Sequence, residues 1–297
     1  MSPVSHPSER TVRWLLTLIA TCLITSPTNA QASEITRAVE FARVDGHSLR
    51  LDLYHPGTVE PPKLIVWVHG GAWRAGSRTS MPLGGLVDAG YAIASVDYRL
   101  SPVAPFPAQI HDIKAAIRFL RAHGSQWNLN TERIAIAGAS AGGHLAALVG
   151  TSNQHSQLEG RGVGDHPDRS SDVHAIISFY GASNLSTILQ QSTPHGLSVR
   201  VPALELLLGN QPDQVPEIAQ LASPVAHVDA TDPPLLLIHG DQDPQMPINQ
   251  SHELTGRYKH HHLPVEFEVV YGGAHGGKAF YDEARIALAT AFLRQHF

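Results

Sequence analysis

The chain has 297 residues, of which 42% are hydrophobic and 16% are charged, a balance typical of a globular protein that excludes a disordered or collagen-like chain. Its formal net charge of −5 argues against a nucleic-acid-binding protein, because binding to phosphate groups requires a basic surface. The 19 histidines are scattered along the chain, so their number alone does not indicate a metal protein. The length suits one large α/β domain or two small domains.

The first segment has the features of a secretory signal peptide. A basic start is followed by an apolar run over residues 14–24 and by the small-residue motif Ala30-Gln31-Ala32. We therefore predict a signal peptide over residues 1–32, with cleavage near either alanine of that motif, and a secreted or periplasmic protein. The apolar run is shorter than the roughly 20 residues of a transmembrane helix, so an uncleaved anchor is the weaker alternative. No stable membrane insertion is expected after cleavage.

The only cysteine, Cys22, falls within this predicted signal peptide. Cleavage would leave a chain with neither a disulfide nor a thiol nucleophile, so hydrophobic packing alone must hold the fold. Residues 33–297 are numerous enough for such a core. Since no linker or internal repeat divides them, we predict a single domain.

Strand-like and helical segments alternate through this domain. Runs rich in Val and Ile predict strands over 48–54, 64–68, 91–97, 134–138, 173–180, 235–239 and 265–270. Helical spacing of apolar residues predicts helices over 107–123, 141–149 and 279–297. The alternation predicts an α/β protein with a doubly wound, mostly parallel sheet of about eight strands. The amphipathic segments up to Tyr54 are expected to form an antiparallel edge.

Two regions interrupt the alternation. Residues 153–171 are polar and rich in Gly, Asp and His, which predicts a solvated loop. Residues 186–221 contain short helical patterns, which predict a small helical insertion. We expect this insertion to lie over the end of the sheet at which α/β folds bind ligands.

The strongest chemical signal is the segment Gly138-Ala139-Ser140-Ala141-Gly142-Gly143, which lies between a predicted strand and a predicted helix. Gly-x-Ser-x-Gly in that setting is typical of a nucleophile elbow, a turn so tight that only glycine fits two residues before and after the serine. The helix N-terminus behind the serine adds a positive field where negative charge develops during a reaction. We predict that Ser140 is a nucleophile.

A second segment, His69-Gly70-Gly71-Ala72-Trp73, directly follows a predicted strand. Successive glycines at a strand end can point backbone N–H groups into a cleft, and a tetrahedral oxyanion needs about two or three such donors. We predict an oxyanion hole formed by the amides of Gly71, Ala72 and Ala141. An ordinary Gly-Gly turn is the alternative when the segment is considered alone. His69 is expected to be a structural hydrogen-bonding residue.

Loops after two later strands supply an acid and a base. Asp243 follows the predicted strand 235–239, and His275 follows the last strand, between pairs of glycines. Both loops lie at strand ends, so we predict that Asp243 and His275 reach Ser140 and complete a catalytic triad. Asp241 and, more weakly, Asp282 are alternatives to Asp243. A solvent-exposed loop histidine is the alternative for His275.

These motifs resemble the esterase and lipase branch of the α/β-hydrolase fold, in particular the BD-FAE-like group near bacterial feruloyl and acetyl-xylan esterases. The resemblance covers residues 41–297 and includes further segments at 51–54, 97–102, 106–108 and 223–224. Ala72 stands where many relatives have a third glycine, which leaves the N–H donors unchanged. Asn184 stands where relatives often have Asp, so no role is carried over to it.

The resemblance implies a serine esterase that hydrolyses short-chain or small acyl esters without a metal or an organic cofactor. Ser140 would attack the ester, His275 would take its proton, and Asp243 would orient the imidazole. The substrate would be a small-molecule or polysaccharide ester, for example an acetylated or feruloylated polysaccharide. An amidase or peptidase with the same triad is one alternative, and a non-catalytic hydrolase-like binding protein is another.

Overall fold

A computed structural model describes residues 1–4 and 33–297, so nearly all of the predicted signal peptide lies outside the described residues. The strands are β1 (Glu34–Val44), β2 (His47–His55), β3 (Lys63–Val68), β4 (Ala92–Val96), β5 (Asn130–Ala139), β6 (Ala175–Phe179), β7 (Leu235–Gly240) and β8 (Val265–Val270). The α-helices are α1 (Gly84–Asp88), α2 (Ala108–His123), α3 (Ala141–Thr151), α4 (Ile188–Gln191), α5 (Pro194–Leu208), α6 (Pro216–Leu221), α7 (Asn249–His260) and α8 (Glu283–His296).

The eight strands form one sheet in the order β1-β2-β4-β3-β5-β6-β7-β8. The β1–β2 and β2–β4 pairs are antiparallel, and the remaining pairs are parallel. The predicted doubly wound, mostly parallel sheet with an antiparallel edge is therefore confirmed. The sequence pattern did not show β1, because most of its residues are exposed and it carries two register shifts against β2.

The core lies on both faces of the sheet. Strands β4, β6 and β7 are buried along their whole length, as continuous apolar runs predict for central parallel strands. Alternate residues of a strand face opposite sides, so in β3 Val66 packs toward α2 and α3, whereas Trp67 packs toward α1 and α8. None of the helices within the described ranges is both long enough and apolar enough to cross a bilayer.

The segment 153–171 differs from the solvated loop that its composition predicts. Glu159 is only 4% exposed, and its carboxylate lies 2.7 Å from the ammonium of Lys114 in α2. Arg118, one turn further along α2, donates a hydrogen bond to the Glu159 carbonyl. The predicted loop is therefore solvated only in part, because two cations of α2, a helix far away in sequence, bind Glu159 and bury it.

The last helix begins later than the predicted range 279–297. The side chain of Asp282 accepts a hydrogen bond from the amide of Arg285, which makes Asp282 the N-cap and Glu283 the first helical residue. Residues 278–280 instead form a 3₁₀ turn after Gly277, which has a φ of 105°. This turn places Tyr281 beside the carboxyl ends of the strands, where it lines the same cavity as Ser140.

Candidate active site

Ser140 occupies the sharp turn between β5 and α3. Its φ of 55° and ψ of −119° lie in a strained backbone region, and its amide donates a 2.9 Å hydrogen bond to the carbonyl of Phe179. A Cβ atom on Gly138 would overlap the carbonyl of Gly142, and one on Gly142 would overlap the carbonyl of Val68. The glycines of the motif are therefore required by close backbone approach around the serine.

The structure brings the three predicted side chains into one hydrogen-bonded chain. The hydroxyl of Ser140 lies 2.8 Å from Nε2 of His275, and Nδ1 of His275 lies 2.6 Å from Oδ2 of Asp243. An ionised carboxylate can only accept, so Nδ1 carries a proton and Nε2 is left to accept one from the serine hydroxyl. Ser140 is 8% exposed and lies against a cavity, so a small molecule can reach it.

Asp243 is held as a carboxylate by groups on several sides. Its Oδ1 accepts 2.8 Å hydrogen bonds from the amides of Gln245 and Met246, and Nε2 of His239 lies 3.4 Å from Oδ2. Burial by itself would raise the pKa of this carboxyl. Hydrogen bonds from His239, His275 and the Met246 amide outweigh burial and hold the pKa well below its ordinary value. The group is therefore ionised at neutral pH.

The two alternative acids have other partners. Asp241 is exposed and accepts a 2.7 Å hydrogen bond from the amide of Gly272, which braces the loop after β8. Asp282 caps α8. The geometry therefore places Asp243, and not these two residues, against the imidazole of His275.

The predicted oxyanion loop has an unusual backbone. Gly71, Ala72 and Trp73 have φ values of 121°, 53° and 60° in succession. A Cβ atom on Gly71 would overlap the carbonyl of Ala75, so this position requires glycine. Within residues 33–297, the amides of Gly71, Ala72 and Ala141 donate no hydrogen bond to another protein group. Gly71 and Ala72 line the cavity beside Ser140, whereas Ala141 is buried at the first turn of α3.

Buried histidines fix this loop from behind. The indole N–H of Trp73 donates to Nδ1 of His144, whose Nε2 donates in turn to the carbonyl of Ala222 over 2.7 Å. Burial lowers the pKa of His144 to about 4, which keeps the ring in the neutral form that these two bonds need. The His69 ring is stacked on Tyr98 with centroids 4.5 Å apart and contacts the Gly70 carbonyl. His69 thus has the predicted structural position.

The cavity in front of Ser140 has a volume of about 500 Å³. Sequence reasoning missed several residues that line it, among them Tyr180, Arg200, Gln245 and Tyr281. Tyr180 packs edge-on against His275 with ring centroids 4.9 Å apart, and its hydroxyl lies 2.6 Å from that of Tyr281. Tyr180 directly follows β6, so its place at a strand's carboxyl end was a signal that could have found it.

No group of side chains within the described ranges has the arrangement of a metal site. The histidine run at 260–262 closes α7 and forms the following turn.

Comparison with known proteins places the chain in a class. A truncated carbohydrate esterase from gut microbiota superposes with a TM-score of 0.80 and 30% identity, over 91% of this chain and 98% of that one. An acetyl ester-xyloside bifunctional hydrolase from Caldicellulosiruptor lactoaceticus superposes with a TM-score of 0.70 and 26% identity, over 84% and 89% of the two chains. These likenesses and the elbow between β5 and α3 define the α/β-hydrolase fold.

The family follows from the sequence. The model of the BD-FAE family matches residues 51–258, and the chain belongs to that family. Esterase LipC of Mycobacterium tuberculosis is 33% identical over 205 residues, which are 67% of this chain and 49% of LipC. The chain therefore spans about half the length of this curated relative.

Proposed function

We propose that the protein is a serine esterase that hydrolyses small acyl esters through an acyl-enzyme. The observation that carries the proposal is the hydrogen-bonded chain from Ser140 through His275 to Asp243, which opens onto a cavity also lined by Gly71 and Ala72. Acyl transfer needs a nucleophile, a base, an orienting carboxylate and backbone donors. Here Ser140, His275, Gly71 and Ala72 line one cavity, and Asp243 is hydrogen-bonded to His275.

The reaction would proceed in two halves. His275 takes the hydroxyl proton of Ser140 as Oγ attacks the ester carbonyl, and Asp243 stabilises the resulting imidazolium without taking its proton. The amides of Gly71, Ala72 and Ala141 receive the oxyanion, where the loss of one donor raises the barrier by about 3 kcal/mol. The alcohol leaves with the proton from His275. Water, activated by the same imidazole, then attacks the acyl-enzyme and releases the acid.

Two observations favour small acyl groups on a polysaccharide or a small molecule. The cavity of about 500 Å³ is bounded on one side by a short helical insertion, and residues 33–297 form no long apolar lid over it. Both solved structures compared above are described as a carbohydrate esterase or an acetyl ester-xyloside hydrolase. The predicted signal peptide over residues 1–32 supports a secreted or periplasmic location, where such polysaccharide esters occur.

The proposal is tested by labelling and by turnover. A fluorophosphonate probe should label the wild-type protein and a Ser170→Ala control, in which an exposed loop serine is removed, but not the Ser140→Ala protein. p-Nitrophenyl esters from acetate to palmitate are then compared with a peptide p-nitroanilide. Fast turnover of acetate or butyrate is the expected result. Preferred cleavage of the anilide would identify an amidase, and absence of both labelling and turnover would identify a binding protein.

A further inference from the structure

A buried arginine of the helical insertion faces the same cavity as Ser140. Arg200 belongs to α5 and is 1% exposed, and it lines the cavity together with Ser140 and His275. Its Nε donates a 3.3 Å hydrogen bond to the carbonyl of Gln245, and its guanidinium carbon lies 5.8 Å from the centre of the Trp73 ring. The guanidinium is therefore held between the oxyanion loop and the loop that carries Asp243.

Arg200 forms no ion pair with any residue in the part of the chain that the structure describes. Its Nη1 atom is buried and has no hydrogen-bond partner in that part of the chain. A buried cation without a carboxylate partner is costly, so such groups in proteins are normally paired or serve a function.

Two charged groups act on Arg200 without forming an ion pair with it. One is the carboxylate of Asp243, whose oxygens already bind His275 and two backbone amides. Arg74, an exposed residue just after the oxyanion loop, adds a second positive charge that acts on Arg200. Burial lowers the pKa of Arg200 to about 10, so the side chain is still charged at neutral pH. The wall of the cavity thus contains a charged guanidinium.

We propose that Arg200 binds a carboxylate carried by the substrate, so that the enzyme prefers acidic esters to neutral esters of the same shape. A guanidinium presents a planar fork of N–H donors that matches a carboxylate, and exclusion of water strengthens the pair. The bound carboxylate would pair with the guanidinium where Arg200 borders the cavity and would act as its counter-ion. This inference rests on the esterase function proposed above.

The test uses pairs of esters that differ only in charge. In the first pair, monoethyl succinate is compared with ethyl succinamate, and the carboxylate of the acid lies on the acyl side of the ester. In the second pair, 4-(carboxymethyl)phenyl acetate is compared with 4-(carbamoylmethyl)phenyl acetate, and the carboxylate lies on the alcohol side. For each protein we measure the ratio of kcat/KM for the acid to kcat/KM for the amide. Because both values come from one protein preparation, a change in the folded fraction or in the catalytic groups cancels in the ratio.

For the wild-type protein we expect a ratio of roughly ten or more in at least one pair. Arg200→Met should bring that ratio to about one or below, and Arg200→Lys should keep an intermediate value because it retains the charge but not the fork. Arg169→Met, which removes an exposed loop arginine, should leave the wild-type ratio unchanged. If Arg200→Met does not fold, the lysine variant against the wild type decides the question.

The outcomes separate this inference from the esterase proposal. Two results would overturn the role of Arg200 but keep the proposed esterase function. In the first, the wild type hydrolyses the neutral esters and prefers the acid in neither pair. In the second, the wild type and the Arg200 variants prefer the acid equally. Failure to hydrolyse any ester overturns both. Calorimetric titration of the Ser140→Ala protein gives a readout without turnover, in which the acid of the preferred pair must bind more tightly than the amide.

Discussion

The indole nitrogen of Trp73 donates a 3.0 Å hydrogen bond to Nδ1 of His144, and this contact joins the predicted oxyanion loop to the helix that begins behind Ser140. Because Nδ1 accepts this bond while Nε2 donates to Ala222, the ring must be neutral, and protonation would break the link. The geometry of the loop therefore depends on a titratable group.

We predict that His144 makes the protein sensitive to acid. Its pKa is about 4 in the folded protein and about 6.5 when unfolded, so its full contribution to stability is present above pH 6.5. As the pH falls from 6.5 to 4, the unfolded chain takes up a proton that the folded ring does not, and about 3 kcal/mol of unfolding free energy is lost. His144→Gln can form both hydrogen bonds without titrating, so its urea-unfolding free energy should fall less between pH 7 and 4.5.

The matched control is His195→Gln, which replaces an exposed histidine in α5. Its unfolding free energy should follow the wild-type pH dependence. If the His144 and His195 variants lose the same free energy on acidification, His144 is not the group responsible.

A comparison of two neighbouring aspartates tests the choice of the orienting carboxylate. Asp243→Asn keeps the shape of the side chain but favours the wrong tautomer of His275, so we expect kcat for p-nitrophenyl acetate to fall by about 10³- to 10⁴-fold. Asp241→Asn retains an oxygen that can accept from the Gly272 amide, and its kcat should stay within a few-fold of wild type. A larger loss of kcat in Asp241→Asn than in Asp243→Asn would instead identify Asp241 as the orienting carboxylate.

The strained backbone at Gly71 gives a third prediction. With a φ of 121° and the Ala75 carbonyl in the way of a Cβ atom, Gly71→Ala must rotate the peptide that carries a predicted oxyanion donor. We expect kcat/KM to fall at least about 100-fold, measured on protein whose near-UV circular dichroism shows a folded core.

Gly256→Ala in α7 is the control, because nothing lies within 4 Å of the added methyl group. It should keep wild-type kcat/KM and gain up to about 1 kcal/mol in stability from helix propensity. Wild-type kcat/KM in the Gly71→Ala protein would show that the amide there does not contact the oxyanion.

Asp232, just before β7, gives a prediction at neutral pH. Burial raises the pKa of its carboxyl to about 7 from 3.8, so the folded state favours the protonated side chain. Its contribution to stability is complete below pH 3.8 and is lost as the pH rises through 7. Asp232→Asn imitates the protonated form, so its Tm should exceed that of wild type by a margin that grows from pH 5 to pH 8. The exposed Asp88→Asn variant should show no such growth, and a constant margin for Asp232→Asn would contradict the assignment.

Residue types and short-range spacing were enough to predict much of the fold and of the candidate site. Gly138 is required by the carbonyl of Gly142, only four residues away, and the Gly-x-Ser-x-Gly motif stands between a strand pattern and a helix pattern, so the elbow could be predicted from the sequence. The buried central strands were readable for the same reason, because a continuous apolar run reports burial on both faces. Each predicted triad residue follows a predicted strand, which also indicated that the three side chains would lie at the same edge of the sheet.

Only the tertiary structure could decide contacts between segments that are far apart in sequence. Asp241 and Asp243 are both aspartates of one loop, so residue type does not distinguish them. The path of the loop in the structure places Asp243 against His275 and His239. Composition predicted that Glu159 lies in a solvated loop, whereas in the structure its carboxylate pairs with Lys114 and is buried. The sequence does not distinguish Arg200 from other helical arginines, whereas in the structure α5 carries it to the cavity, where it forms no ion pair within residues 33–297. Burial and charge pairing depend on distances in space, which residue types and local spacing do not determine.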